Sequence, residues 1–69
     1  MDTHTYKHIE ITGSSTTGTD DAIRSAIAKA AETVRNIHWF EVTGTRGYVE
    51  DAVVQYWQVT LKIGFRLEG

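Results

Sequence analysis

Trp39 is the residue whose type and setting point most directly to chemistry. It lies in an alternating segment where Glu41 and Thr43 share its face, while Phe40 and Val42 occupy the other face. A flat indole on an open strand face is typical of a subunit contact, where Trp is common. It is equally typical of a stacking platform for a planar ligand, and both interpretations stand at this point.

Gln58 lies on the same outward face of the following strand. A turn centred near Val49 and Glu50 places Glu41 opposite Gln58, so Gln58 would lie diagonal to Trp39 and within cross-strand reach. A primary amide offers donors and an acceptor together, and beside an indole it suits a heterocycle with amide or imide edges. A solvated glutamine is the alternative interpretation.

Several cations and one loop are candidates for binding an anion. Arg46, Lys62 and Arg66 would each suit an anionic group, although single surface cations are usually only solvated. The hydroxyl-rich Ser14–Gly18 loop precedes a predicted helix, where phosphates bind. It lacks the spacing of either phosphate-binding glycine motif, which favours a capping loop.

Catalytic and metal sites find no support in the residue pattern. The chain has no Cys, and no Ser/His/Asp arrangement is suggested, so we expect no catalytic residues. The histidines lack ligand spacing on a helix, so we expect no metal; they are His4, His8 and His38. Among the other aromatic residues, Trp57 is expected to pack in the core or at an edge. Tyr48 and Tyr56 are expected at an interface.

Length and composition exclude several classes of protein. The chain has 69 residues, 41% of them hydrophobic and 23% charged, which predicts one globular domain. A net charge of −2 disfavours a nucleic-acid partner. No apolar run approaches a membrane span or the apolar core of a signal peptide, so we expect no membrane partner. Without a signal peptide or Cys, a cytoplasmic location is expected.

The elements that must position these residues follow a β-α-β-β order. An apolar stripe of Ile23, Ala26, Ile27, Ala30, Ala31 and Val34 predicts an amphipathic helix, with Thr19 as its N-cap. Because this stripe is rich in Ala, the helix should lie close to a sheet. The predicted bounds are strand Tyr6–Thr12, loop Gly13–Gly18, helix Asp20–Asn36, strand Trp39–Arg46, turn Gly47–Asp51 and strand Ala52–Leu67.

These elements predict an α+β fold in which one helix covers one face of a three-stranded antiparallel sheet. Alternation assigns eight residues to the helix side: Ile9, Ile11, Phe40, Val42, Val59, Leu61, Ile63 and Phe65. The outward face keeps Trp39, Val54 and Tyr56. Open sheet edges and an uncovered aromatic face promote aggregation unless a partner covers them. We therefore expect a closed homo-oligomer.

The chain resembles the dodecin family over nearly its whole length, as a single dodecin-like domain spanning residues 1–69. The specific part is the pair of later strands, from Trp39-Phe40-Glu41-Val42 through Arg46-Gly47 to Gln58-Val59-Thr60-Leu61-Lys62-Ile63-Gly64-Phe65-Arg66-Leu67. The run from Tyr6 to Ser15 is similar to the first dodecin strand and its following loop. The helix is generic.

The resemblance implies a hollow homododecamer that stores or sequesters flavin and protects against light, with no turnover. FMN or riboflavin would bind as stacked pairs between Trp39 side chains of neighbouring subunits, and electron transfer from Trp39 would quench the excited flavin. Gln58 would hydrogen-bond the polar edge of the ring. Gly44 stands where an archaeal branch has an acidic residue, so the chain resembles the bacterial branch, which favours FMN.

Arg46 would help to hold the ribityl or phosphate part of the flavin. Strict alternation puts Arg46 on the helix side, so this role requires a twist or bulge near the hairpin end. Some bacterial members of the family also hold coenzyme A, which makes coenzyme A a possible second ligand here.

Three other functions remain open from the residues. A flavin-dependent oxidoreductase would need an open position beside the flavin for a second substrate. An oligomer that carries a small molecule such as coenzyme A is a second alternative. A single-stranded nucleic-acid binder would use Trp39 and Tyr56 as stacking platforms, against the unfavourable net charge.

Overall fold

The computed structural model describes residues 3–68 as one helix and a three-stranded sheet. The elements are β1 (Tyr6–Ser15), α1 (Thr19–Ala30), β2 (Ile37–Glu50) and β3 (Val53–Arg66). β3 is the central strand and pairs antiparallel with both β1 and β2. The predicted α+β class and β-α-β-β order are confirmed. Residues 1, 2 and 69, the ends of the predicted domain, lie outside the described residues.

The helix is shorter than its apolar stripe predicted. It ends at Ala30 rather than Asn36, and the amides of Glu32 and Thr33 bond to carbonyls only three residues back. The segment after Ala30 includes Thr33 and Val34, β-branched residues of lower helix propensity. Asn36 has φ 63°, which places it in the left-handed region and directs the chain into β2.

The start of the helix also differs from the prediction. Gly18, not Thr19, occupies the N-cap position, and no side chain caps the helix there. Instead the Ser15 hydroxyl accepts bonds from the amides of Thr17 and Gly18 at 2.9 and 3.3 Å and donates to Asp21 Oδ2 at 2.7 Å. β1 runs past the predicted end at Thr12 to Ser15. The Ser15 hydroxyl thus organises both the loop and the first helical turn.

The turn between β2 and β3 lies further along the chain than the predicted Gly47–Asp51. Glu50 pairs with Val53, so Asp51 and Ala52 form the loop alone, with φ 53° and 63°. Two successive residues at positive φ are the signature of a type I′ hairpin turn, whose twist matches that of the strands. This position of the turn shifts the whole register of β2 against β3.

The core lies between α1 and the β1–β3 pair. Its fully buried side chains include Leu61, Ile63 and Val59 of β3, which meet Ala22 and Ala26 of the helix. A β-carbon at Gly13 of β1 would collide with the Ala22 carbonyl oxygen and lie 2.8 Å from Ala26 Cβ. The close approach that the Ala-rich stripe predicted is therefore confirmed.

Two residues assigned to the helix side are exposed. Phe40 and Val42 pair with Ile63 and Leu61, so they share the helix-side face as predicted. They nevertheless remain 48% and 42% exposed. The reason is that α1 packs on β1 and β3, and a helix about 10 Å wide spans only about two strands spaced ~4.8 Å apart.

The far end of the hairpin extends beyond both β1 and the helix. β1 ends opposite Trp57, so residues 48–50 and 53–56 pair only with each other in the described structure. We call residues 48–56 the hairpin arm. Its exposed large hydrophobic side chains are Tyr48, Val49, Val53 and Val54. The arm gives the chain an elongated outline of 56 × 20 × 14 Å.

Candidate functional site

The Trp39 indole lies against the outer face of the sheet, the face away from α1. Trp39 pairs with Gly64 of β3 after a register shift between Ile37 and Trp39. A β-carbon at Gly64 would collide with the indole atoms Cδ2, Cε2 and Cζ2. The ring therefore rests over the glycine backbone, while 38% of the Trp39 surface remains exposed. The predicted outward position of Trp39 is confirmed.

A second ring supports the indole from β1. His8 pairs with Gly64 on the opposite side from Trp39, so the three residues form one row across the sheet. The imidazole and indole centroids are 6.3 Å apart at 41°. The prediction gave His8 no role beside Trp39, although its outward alternation in the first strand was the available signal.

Gln58 does not lie beside Trp39 within one chain. Its partner on β2 is Arg46, whereas the predicted register placed it opposite Glu41. Since Trp39 pairs with Gly64, six residues along β3 separate the two positions, or about 20 Å at ~3.3 Å per residue. The later turn causes this displacement, because the extra residue Thr43 on β2 is offset by an extra residue, Gln55, on β3. The prediction of their proximity within a chain is therefore wrong, although both lie on the outer face.

Arg46 lies on the outer face because β2 contains a bulge. The register shifts between Val42 and Gly44, leaving Thr43 as an extra residue. Such an insertion exchanges the faces of the residues that follow it. Arg46 consequently pairs with Gln58, and its Nη1 donates to Thr60 Oγ1 at 3.5 Å. The bulge that an outward Arg46 required is present.

A polar network fills the space between the Trp39 row and the Gln58 row. The Thr43 hydroxyl lies 3.0 Å from Glu10 Oε2 and 3.2 Å from the Thr60 carbonyl oxygen, and shares its hydrogen between them. The hydroxyls of Thr12 and Thr60 are 2.9 Å apart. No pattern in the sequence placed Thr43 at a bulge, so this network was not predicted.

The hairpin arm carries a separate aromatic pair. Tyr48 and Tyr56 stack with ring centroids 5.3 Å apart at 12°. Eight residues of β3 separate Tyr56 from the Trp39 partner Gly64, or roughly 26 Å. A nucleic-acid binder that uses both Trp39 and Tyr56 would therefore need a strand that crosses the whole outer face.

The structure also bears on the loop before the helix, on metal binding and on membrane-spanning helices. The Ser14–Gly18 loop turns the amides of Thr17 and Gly18 toward Ser15, as a capping loop does. Residues 3–68 contain no group of three or more His, Cys, Asp or Glu side chains arranged to hold a metal ion. Within the same residues, no helix has the length and apolar character that crossing a bilayer requires.

A wide cleft of the described chain lies away from Trp39 and Gln58. It has a volume of about 850 Å³ and runs between α1 and the free edge of β1, with Ile9, Ile11 and Ala26 among its lining residues. Neither Trp39 nor Gln58 borders it. A second pocket of about 350 Å³ is lined by Gln58 and Tyr56 together with the loop residues 14–16. Trp39 borders neither pocket, so the indole lies on an open surface of the chain.

Comparison by sequence and comparison by fold lead to the same family. The family model described as dodecin matches residues 5–68. The chain belongs to the dodecin family. A curated dodecin from Thermus thermophilus is 46% identical over 63 residues, which cover 91% of each chain. The resemblance predicted from the strand motifs is confirmed.

Solved dodecins share the fold closely. The dodecin from Streptomyces coelicolor is 51% identical, with a TM-score of 0.92 over 100% of this chain and 99% of that one. The dodecin from Streptomyces davaonensis is 46% identical, with a TM-score of 0.92 over 99% of this chain and all of that one. Flavin binding is a general property of dodecins, and dodecins in general are not enzymes.

Proposed function

We propose that this dodecin stores or sequesters flavin and protects against light, holding FMN or riboflavin against Trp39. The observation that carries the proposal is the half-open indole, which is supported from beneath by Gly64. Stacking of a heterocycle on an aromatic side chain contributes about 1–3 kcal/mol. A flavin supplies a planar three-ring system with a polar edge, which suits a flat platform and a separate amide.

The proposed ligand site is shared between copies of the chain. Trp39 and Gln58 lie about 20 Å apart in one chain, too far for both to contact one ring system. A second copy that brings its Gln58 toward the first copy's Trp39 would complete the site. Paired flavins between two indoles in a homododecamer satisfy this requirement and also cover apolar surface that the chain leaves exposed.

Arg46 is the proposed contact for the ribityl or phosphate part. It shares the outer face with Gln58 and is its direct cross-strand partner. Gln58 at the ring edge and Arg46 beside it would thus bind neighbouring parts of one ligand. The positive charge favours FMN over riboflavin. We do not extend the proposal to coenzyme A, because no contact among the described residues favours it.

The test is a flavin titration of the purified protein, followed by quenching of flavin emission. We expect FMN to bind with a Kd of about 1 μM or better, corresponding to about −8 kcal/mol, and more tightly than riboflavin. Trp39→Ala should weaken binding by at least about tenfold, because a stacking face is lost.

Trp57→Phe is the control, since Trp57 alternates onto the other face of β3 and its loss should leave the Kd nearly unchanged. Sizing chromatography must show the same oligomer for all three proteins. Equal FMN affinity in the Trp39→Ala protein would refute the site. Sustained oxidation of NAD(P)H well above the rate with free flavin would favour an oxidoreductase instead.

A further inference from the structure

We propose that Gly64 and His8 are positioning residues that hold the Trp39 indole flat with one face open, and so set the affinity of the stacking site. The inference rests on the proposed function for its ligand. The arrangement of the indole itself is a property of the ligand-free chain and is measured separately.

Gly64 provides the space in which the indole lies. Its backbone lies outside the left-handed region, so the position does not need glycine for its conformation. It needs glycine because a β-carbon would collide with three atoms of the Trp39 ring. An aromatic side chain laid across a strand glycine also shields the exposed backbone of that glycine. Any larger residue at 64 must tilt or expel the indole.

His8 limits the indole from the other side of Gly64. The row His8, Gly64, Trp39 crosses all three strands in register. The tilted imidazole, 6.3 Å from the indole centroid, is an aromatic neighbour of the kind that contributes specific packing. With Gly64 beneath and His8 at the side, the indole can swing neither inward nor toward β1, and its outward face stays available.

This arrangement makes the affinity depend on residues that need not touch the ligand. A ligand that stacks on Trp39 gains most when the platform is already fixed, because less side-chain entropy is lost on binding. Gly64 and His8 supply that pre-organisation. Substituting either residue should therefore change the affinity for the ligand without changing which chemical groups contact it.

The first test replaces Gly64 and uses a matched glycine as control. Gly64→Ala should raise the Kd for FMN by about tenfold, as expected when a stacking face is misplaced. Gly47→Ala lies in the same sheet on its other face, opposite Trp57, and the nearest atom to a β-carbon there is the Tyr56 carbonyl oxygen at 3.4 Å, an ordinary contact. This control should leave the Kd within about twofold of wild type, inside the range typical of a surface substitution.

The second test follows the indole without any flavin. Gly64→Ala should shift the tryptophan emission and the near-ultraviolet circular dichroism of the ligand-free protein. In a Trp39→Phe background, which retains Trp57, the same substitution should produce no shift. Unchanged spectra together with an unchanged Kd would overturn the role of Gly64. If wild type bound no FMN but the spectra moved as expected, the positioning role would stand and the proposed function would fail.

The third test separates a ring contact from general packing at His8. His8→Ala should weaken FMN binding by roughly threefold, and His8→Phe should restore it, because a ring again limits the indole. His38→Ala is the control, since His38 faces Tyr6 at 5.7 Å. Equal affinities for His8→Ala and wild type would overturn the role of His8, even if the Gly64 variant failed to fold.

Discussion

The two ends of β3 differ in what covers them. Val59, Leu61 and Ile63 lie beneath α1 and are fully buried, whereas Val53 and Val54 in the hairpin arm are 57% and 45% exposed. The strand is apolar along both parts, so residue type does not explain the contrast. The position of the helix explains it, because α1 packs on β1 and β3 and does not extend over the arm.

This contrast explains why so small a chain retains an apolar arm. Exposed apolar strands at open edges favour association unless another surface covers them. The arm thus has the composition of an interface, whereas the helix-covered half has the composition of a core. In the proposed oligomer, copies of the chain supply the cover that α1 does not.

The contrast between the helix-covered core and the hairpin arm can be tested by truncating one valine in each region. Val59→Ala should lower the free energy of unfolding by about 2–3 kcal/mol, because it empties a fully buried position. Val54→Ala removes the same atoms from the arm and should cost less than about 1 kcal/mol. Urea unfolding followed by circular dichroism measures both.

The arm valine should act instead on association. Light scattering after sizing chromatography should show the Val54→Ala oligomer dissociating at a higher protein concentration than wild type. Equal losses of unfolding free energy in the two variants, with no change in association, would contradict the assignment of core and arm.

A smaller effect is expected at the loop that joins β1 to the helix. Ser15→Ala removes the acceptor for the amides of Thr17 and Gly18 and the hydrogen bond to Asp21. Because Ser15 is buried at 9% exposure, we expect a loss of about 1–2 kcal/mol in thermal or urea unfolding. The exposed neighbour Ser14→Ala is the control and should change stability by no more than ~0.5 kcal/mol.

The smallest effect is expected at the tip of the arm, and it has the opposite sign. Ala52 has φ 63°, a conformation that costs an L-residue roughly 1–2 kcal/mol and glycine almost nothing. Ala52→Gly should therefore stabilise the protein by about 1 kcal/mol. Ala28→Gly, at an exposed position within α1, should destabilise it by about 0.5–1 kcal/mol. Destabilisation by both substitutions would exclude the type I′ turn.

The sequence predicted the strands and their faces better than their pairing. Alternation placed Trp39 and Gln58 on one face, and the sheet confirms it. The predicted distance between them was wrong because no glycine or asparagine marks the turn at Asp51 and Ala52. Nothing local reveals the extra residue at Thr43, which turns Arg46 outward. Register depends on the turn position, so an error of two residues there moves every cross-strand partner.

The order of the elements, the outward direction of Trp39 and the Ala-rich helix face follow from local patterns of residue size and polarity. They required only the periods of strand and helix. The row His8–Gly64–Trp39, the outward Arg46 and the exposure of Phe40 were decided by the tertiary structure. Each depends on where three strands and one helix come to lie against one another, and residues distant in the chain fix that arrangement by steric fit.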